Sequence, residues 1–143
     1  MSAPASGIGA GSRAVLAGLA DQLIPAGDGM PSATQAGAAA AGLDEVLRLR
    51  PDLAAPLRAL LDGVAGSDPA AAVDRLRETQ PDAFAVLAEV VAGAYFLNPD
   101  VRRHIGYPGQ QQVPIKAEQP PDYEQDGLLA SVVGRGPVYR RTP

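Results

Sequence analysis

Prolines limit the length of every helix that residues 12–105 can form. Proline has no backbone N–H and fixes φ, so it breaks a helix interior but is tolerated in the first helical turn. Two prolines end helical patterns here and three stand where a helix can begin: Pro25, Pro51, Pro69, Pro81 and Pro99. Apolar residues recur between them at the spacing of one helix face. The sequence therefore predicts an all-α fold, a small bundle of five or six short helices.

Side chains that can cap a helix stand at the start of most segments. The predicted caps are Ser12, Ser32 with Gln35 as a capping box, Asp52, Asp68 and Asn98. The helix that starts at Ser32 is expected to run through an alanine-rich stretch to Leu49, with Asp44 and Arg48 paired at i, i+4. The segment from Pro81 is the most apolar. Its stripe of Phe84, Leu87, Val91 and Tyr95, widened by neighbouring apolar residues, predicts that this helix lies at the centre of the bundle.

Composition narrows the chemistry that the chain can perform. Of the 66 apolar residues 27 are alanine, so the core is expected to be thin with close backbone contacts. A net charge of −4 argues against a nucleic-acid partner, which would need a basic face. The absence of cysteine excludes disulfides and thiolate metal sites. No apolar run predicts a membrane span or a signal peptide, so we expect no direct membrane insertion and a cytoplasmic location.

The chain divides into three predicted regions: a flexible lead over residues 1–11, the bundle over residues 12–105, and an extended, irregular arm over residues 106–143. The arm contains six prolines and five glycines. It also holds three of the four tyrosines and the apolar residues Leu128, Leu129, Val132 and Val133. Tyrosine is enriched where proteins meet. We therefore expect the arm to dock on another protein, with folding back onto the bundle or disorder as the alternatives.

His104 is the only imidazole of the chain and a candidate for acid–base catalysis. Asp100, four residues earlier, is the one local acid that could orient it. A histidine near a helix C-terminus more often serves as a surface or interface donor. No catalytic residue, metal ligand or cofactor-binding residue is therefore predicted on this chain.

Three stretches resemble the gluconate 2-dehydrogenase subunit 3 family. The first is residues 19–25 (Leu-Ala-Asp-Gln-Leu-Ile-Pro) with the Gly-Met-Pro-Ser-Ala and Ala-Gly segments that follow it. The second is the apolar helix that ends in Ala-Tyr-Phe-Leu at residues 94–97. The third and most specific is residues 98–109, Asn-Pro-Asp-Val-Arg-Arg-His-Ile-Gly-Tyr-Pro-Gly.

The resemblance implies a non-catalytic small subunit. Members of that family bind and stabilise an FAD-containing large subunit of the glucose-methanol-choline type, which oxidises a sugar or alcohol. FAD would then belong to the partner, and export would depend on a signal carried by that partner. The alternatives are a stand-alone small enzyme that uses His104 and carboxylates, and a helical adaptor for an unrelated partner. The predicted interface residues are Tyr95, His104, Tyr107, Pro108, Tyr123, Leu128, Leu129, Val132, Val133 and Tyr139.

Overall fold

The computed structural model describes residues 7–112 and 126–136 and divides the chain into two units between Gly109 and Gln110. The helices of the first unit are α1 Ala10–Leu23, α2 Ala41–Leu49, a 3₁₀ turn Pro51–Leu53, α3 Ala54–Val64, α4 Pro69–Thr79, α5 Pro81–Leu97 and α6 Pro99–His104. The second unit contains α7, Ala130–Arg135. No β-strand occurs in the described residues, and the prediction of an all-α fold is confirmed.

Helix α5 is the centre of the first unit, as its apolar sequence predicts. It packs against α1, α2, α3, α4 and α6. Its buried residues are Leu87, Val90, Val91, Ala94 and Tyr95. A helix that is apolar on most of its surface is stable only when neighbours cover it on several sides. The five surrounding helices meet that requirement.

Two predicted caps have the expected geometry. Asp68 Oδ2 accepts a hydrogen bond from Ala71 N at 3.0 Å, and Pro69 follows at the first helical position of α4. Asn98 Oδ1 accepts from Asp100 N at 2.7 Å, and Pro99 opens α6 in the same way. Each side chain satisfies a helix N–H that would otherwise lack a partner.

The first helix starts earlier than predicted, and residues 7–11 are part of the bundle. Helix α1 begins at Ala10 with Gly9 as its cap residue, so Ser12 is not the cap. Ile8 is 1% exposed and lies in the core. Arg13 Nε donates to Ile8 O at 3.1 Å, and Arg58 Nη2 donates to Gly7 O at 3.2 Å. The prediction of a flexible lead over residues 1–11 is therefore wrong for residues 7–11, because Ile8 is buried and one local and one long-range arginine bond hold the backbone there.

The alanine-rich helix predicted from Ser32 to Leu49 is interrupted. Ser32 and Gln35 form the predicted reciprocal capping box, with bonds of 2.9 and 3.3 Å. One turn later Gly37 adopts φ +78°, and Ala38 N and Gly37 N donate to Ala33 O and Thr34 O. This is the pattern of a Schellman helix end, which a glycine with positive φ allows. Helix α2 therefore starts anew at Ala41.

Two carboxylates have partners other than those predicted. Asp44 pairs with Arg13 of α1, while Arg48 pairs with Glu45 at i, i+3. Asp52 does not cap α3, because its carboxylate pairs with Arg50 at 2.7 Å. The hydrogen bond from Arg50 lowers the pKa of Asp52 below its ordinary value. Arg50 also pairs with Glu89 of α5, so an exposed arginine links the end of α2 to the central helix.

None of the helices in the described residues has both the length and the apolar character that crossing a membrane requires.

Candidate partner-binding surface

Asn98 holds together the junction of α5, α6 and the turn at residues 33–40. Its Oδ1 caps α6, and its Nδ2 donates to Ala36 O at 2.8 Å. One side chain therefore satisfies groups on two elements that are 62 residues apart in sequence. This arrangement sets where α6 leaves the bundle and hence the position of the residues that follow it.

Helix α6 ends in a second Schellman motif. Gly106 has φ +69°, and Tyr107 N and Gly106 N donate to Arg102 O at 2.8 Å and Arg103 O at 3.1 Å. Only a residue that tolerates positive φ turns the chain so sharply after one and a half helical turns. The turn brings the Tyr107 ring back against α6. The guanidinium carbon of Arg102 lies 5.7 Å from the centre of that ring.

A cleft of about 450 Å³ opens at this turn. It is lined by Pro99, Arg102, Arg103, Gly106, Tyr107 and Pro108. Arg102 is partly buried and the other lining residues are exposed. Arg103 is already paired, because its Nη1 lies 2.8 Å from Asp100 Oδ1. The cleft therefore combines apolar walls with one guanidinium that stacks on an aromatic ring, and we call it the α6 cleft.

Large apolar side chains are exposed close to the α6 cleft in sequence. Phe96 is 50% exposed, Ile105 49% and Tyr107 52%. Leu97 and Leu49 line a shallow groove of about 230 Å³ between α2 and α5. Single exposed apolar residues are ordinary, but Phe96 and Leu97 are adjacent at the end of the central helix, and apolar residues exposed side by side favour an interaction surface.

Tyr95 corrects the predicted interface. It is 3% exposed, and its hydroxyl donates to Pro31 O at 2.8 Å. Its ring meets Phe96 edge to face, with centroids 5.3 Å apart. Tyr95 is therefore a core residue that ties α5 to the loop after α1, and the exposed aromatic of this helix is its neighbour Phe96.

Among the described residues, Asp100 pairs with Arg103 and not with His104. His104 is exposed at the last position of α6 and lies beside the Gly27–Met30 turn, where a side-chain carbon added to Gly29 would be 3.6 Å from His104 Nε2. The Asp100 carboxylate accepts from Arg103 instead. Within the part of the chain that the structure describes, no three acidic or histidine side chains are grouped closely enough to hold a metal ion.

Helix α7 and the turn that precedes it present apolar residues to solvent. Leu128 is 69% exposed, Val132 54% and Val133 74%, while Leu129 is partly exposed. None of the residues of α7 is buried. Tyr107 and Pro108 are exposed in the first unit, so the structure does not place all the predicted interface residues in one body. Tyr123 and Tyr139 lie outside the described residues.

Sequence reasoning missed Arg102 and Phe96 as surface residues of interest. Phe96 stands one position after the stripe that ends at Tyr95, and a side chain one position away on a helix points about 100° away from that stripe. That offset is a usable signal for exposure. No comparable signal exists for Arg102, because its contact with Tyr107 depends on the turn at Gly106.

Replacing Asn98 tests the junction. We expect Asn98→Ala to lower the free energy of unfolding by about 1–2 kcal/mol, because it removes a cap and leaves Ala36 O without its donor. Asn98→Asp keeps the cap oxygen and loses only the Nδ2 donor, so its cost should be smaller. Urea unfolding followed by circular dichroism measures both. Equal stability of Asn98→Ala and the wild type would show that the junction is held elsewhere.

The chain was compared with family models, with curated proteins and with solved structures, and no significant match was found in any of the three.

Proposed function

We propose that this chain is a non-catalytic small subunit that binds and stabilises an FAD-dependent sugar or alcohol oxidoreductase. The observation that supports a binding role is the apolar surface of α7 and the turn before it, where Leu128, Val132 and Val133 are each more than half exposed. Apolar side chains exposed together on a short helix and the turn that precedes it favour a protein partner that covers them. The identity of the partner rests on the sequence resemblance, whose most specific stretch forms α6 and its exit turn.

The two subunits have different roles. The large flavoprotein subunit, of the glucose-methanol-choline type, holds FAD and performs the oxidation. This chain binds the large subunit and takes no part in the reaction, and it supplies no ligand to the cofactor. The complex is expected in the cytoplasm unless the large subunit carries an export signal. No nucleic acid takes part, in keeping with the net charge of −4.

Co-expression with a candidate flavoprotein large subunit of the glucose-methanol-choline type tests the proposal. We expect the two chains to co-purify, with more soluble, FAD-loaded flavoprotein than when the flavoprotein is expressed alone. The chain expressed by itself should copurify with no stoichiometric flavin and turn over no sugar. Absorbance spectra and flavin release quantify both results. Stoichiometric flavin on the isolated chain, or no change in the flavoprotein on co-expression, would refute the proposal.

His104→Ala separates this proposal from the stand-alone enzyme. We expect turnover of the complex to stay within about fivefold of the wild type, because one exposed polar contact contributes roughly 1 kcal/mol. No larger loss is expected, because Asp100 pairs with Arg103 and does not orient the imidazole of His104. Steady-state kinetics of the purified complex gives the answer. A several-hundredfold loss from a complex that still assembles would favour catalysis by His104.

A further inference from the structure

The Arg102 side chain lies between the Tyr107 ring and Gly109. Its guanidinium lies over the Tyr107 ring at 5.7 Å, and a side-chain carbon added to Gly109 would lie 3.1 Å from Arg102 Nη2. Gly109 has φ +85° and thus leaves room for the guanidinium where other residues would be strained and crowded. Stacking occupies one face of the guanidinium and leaves its edge N–H groups available to an acceptor.

No carboxylate forms an ion pair with Arg102 among residues 7–112 and 126–136. The contrast with Arg77 is informative, because Arg77 also stacks on an aromatic ring, that of Phe84 at 5.8 Å. Arg77 has Asp74 as an ion-pair partner at 3.4 Å, whereas Arg102 has none in the described residues. Arg102 is also partly buried between apolar walls, where a guanidinium gains most from a bidentate anion.

We propose that the α6 cleft binds a carboxylate carried on an extended apolar segment of the partner protein, with Arg102 holding the carboxylate and Tyr107 and Pro108 contacting the apolar neighbour. This inference rests on the proposed function, because the partner is the flavoprotein. The planar guanidinium matches a carboxylate through two parallel hydrogen bonds. Pro99 and Pro108 have no backbone N–H, so the walls contact apolar groups rather than a polar chain.

The shape of the cleft favours a protein segment over a free small molecule. Pockets for small molecules bury most of the ligand surface. The walls of the α6 cleft are exposed apart from Arg102, so a small carboxylate would remain largely in water. A segment that belongs to a larger surface brings additional contacts from outside the cleft. A volume of about 450 Å³ is enough for a few side chains and too small for a folded element.

The affinity of the full-length chain for the purified flavoprotein tests this assignment. We expect Arg102→Gln to weaken binding by about tenfold to a hundredfold, the usual effect of losing a hydrogen-bonded charge. Arg102→Lys keeps the charge without the planar fork and should lose less. Tyr107→Ala should weaken binding by about threefold through the lost stacking, while Tyr107→Phe keeps the ring and should lose less. Calorimetry or interferometry measures each dissociation constant.

Arg75→Gln is the matched control, because Arg75 is an exposed arginine of α4 that does not line the cleft. It changes the net charge equally and should alter the affinity by no more than about twofold. A scan of flavoprotein Asp and Glu residues to Asn and Gln completes the test. One of those changes should weaken binding as much as Arg102→Gln, and combining the two should add little further loss.

The outcomes separate this inference from the proposed function. If the wild-type chain binds the flavoprotein but Arg102→Gln behaves like Arg75→Gln, the cleft assignment falls and the proposed function stands. The assignment is also wrong if Arg102→Gln weakens binding but no Asp or Glu substitution in the flavoprotein weakens it to a similar extent. If the wild-type chain binds no flavoprotein, both proposals fall. Thermal unfolding of each variant confirms that the bundle is intact, which is expected because the Arg102 side chain makes no ion pair within the described bundle.

Discussion

The full-length chain with Leu128→Asp and Val132→Asp should bind the proposed flavoprotein partner at least about a hundredfold more weakly than the wild type. Burying one leucine or valine side chain stabilises a complex by about 1.5–3 kcal/mol, and two such losses exceed the 2.7 kcal/mol of a hundredfold change. Both side chains are more than half exposed in the free chain. The substitutions should therefore leave the bundle stable. Pull-down with flavin quantitation and a direct affinity measurement give the result.

Ser131→Asp with Gln112→Asp is the matched control, because it adds the same two negative charges at exposed polar positions. We expect its affinity to stay within about threefold of the wild type, as is usual for exposed charges. A chain that ends after Gly109, where the first unit ends, should remain helical and lose affinity as the double variant does. Undiminished association of the shortened chain would place the whole interface on the first unit and remove α7 from it.

Gly42→Val should produce the largest loss of stability, about 3 kcal/mol at the upper end of the range for overpacking. A side-chain carbon at Gly42 would lie 2.9 Å from Ala94 O and 3.1 Å from Gly37 O. Both obstacles are backbone atoms, so relief requires α2 to move away from α5. That movement would disturb the contact between α2 and the central helix, since Leu43 and Val46 of α2 are buried.

Gly63→Val is the control for this second prediction. Gly63 is an exposed position within α3, and nothing lies within 4 Å of a side-chain carbon added there. We expect its free energy of unfolding to stay within about 0.5 kcal/mol of the wild type, because valine and glycine have similar helix propensities. Thermal and urea unfolding compare the two variants directly. Equal stability of Gly42→Val and Gly63→Val would show that α2 does not approach α5 as closely as described.

The amino-acid sequence by itself determined the fold class and most helix limits. Proline acts locally, through its missing N–H and fixed φ, so Pro69, Pro81 and Pro99 mark helix starts wherever the chain folds. The caps at Asp68 and Asn98 are equally local, because each side chain bonds to N–H groups two or three residues away. The stripe of α5 predicted its central position for the same reason: its periodicity depends only on helix geometry.

Only the tertiary structure decided the interactions between distant segments. Asp44 meets Arg13 rather than Arg48, and Tyr95 is buried because Pro31 O accepts its hydroxyl from 64 residues away. The interruption at Gly37 belongs with these, since it lets the chain turn before α2 approaches α5. Arg102 is oriented by a turn that returns Tyr107 to its side. Such contacts depend on the relative positions of separate helices, and the spacing of residues along the chain does not predict those positions.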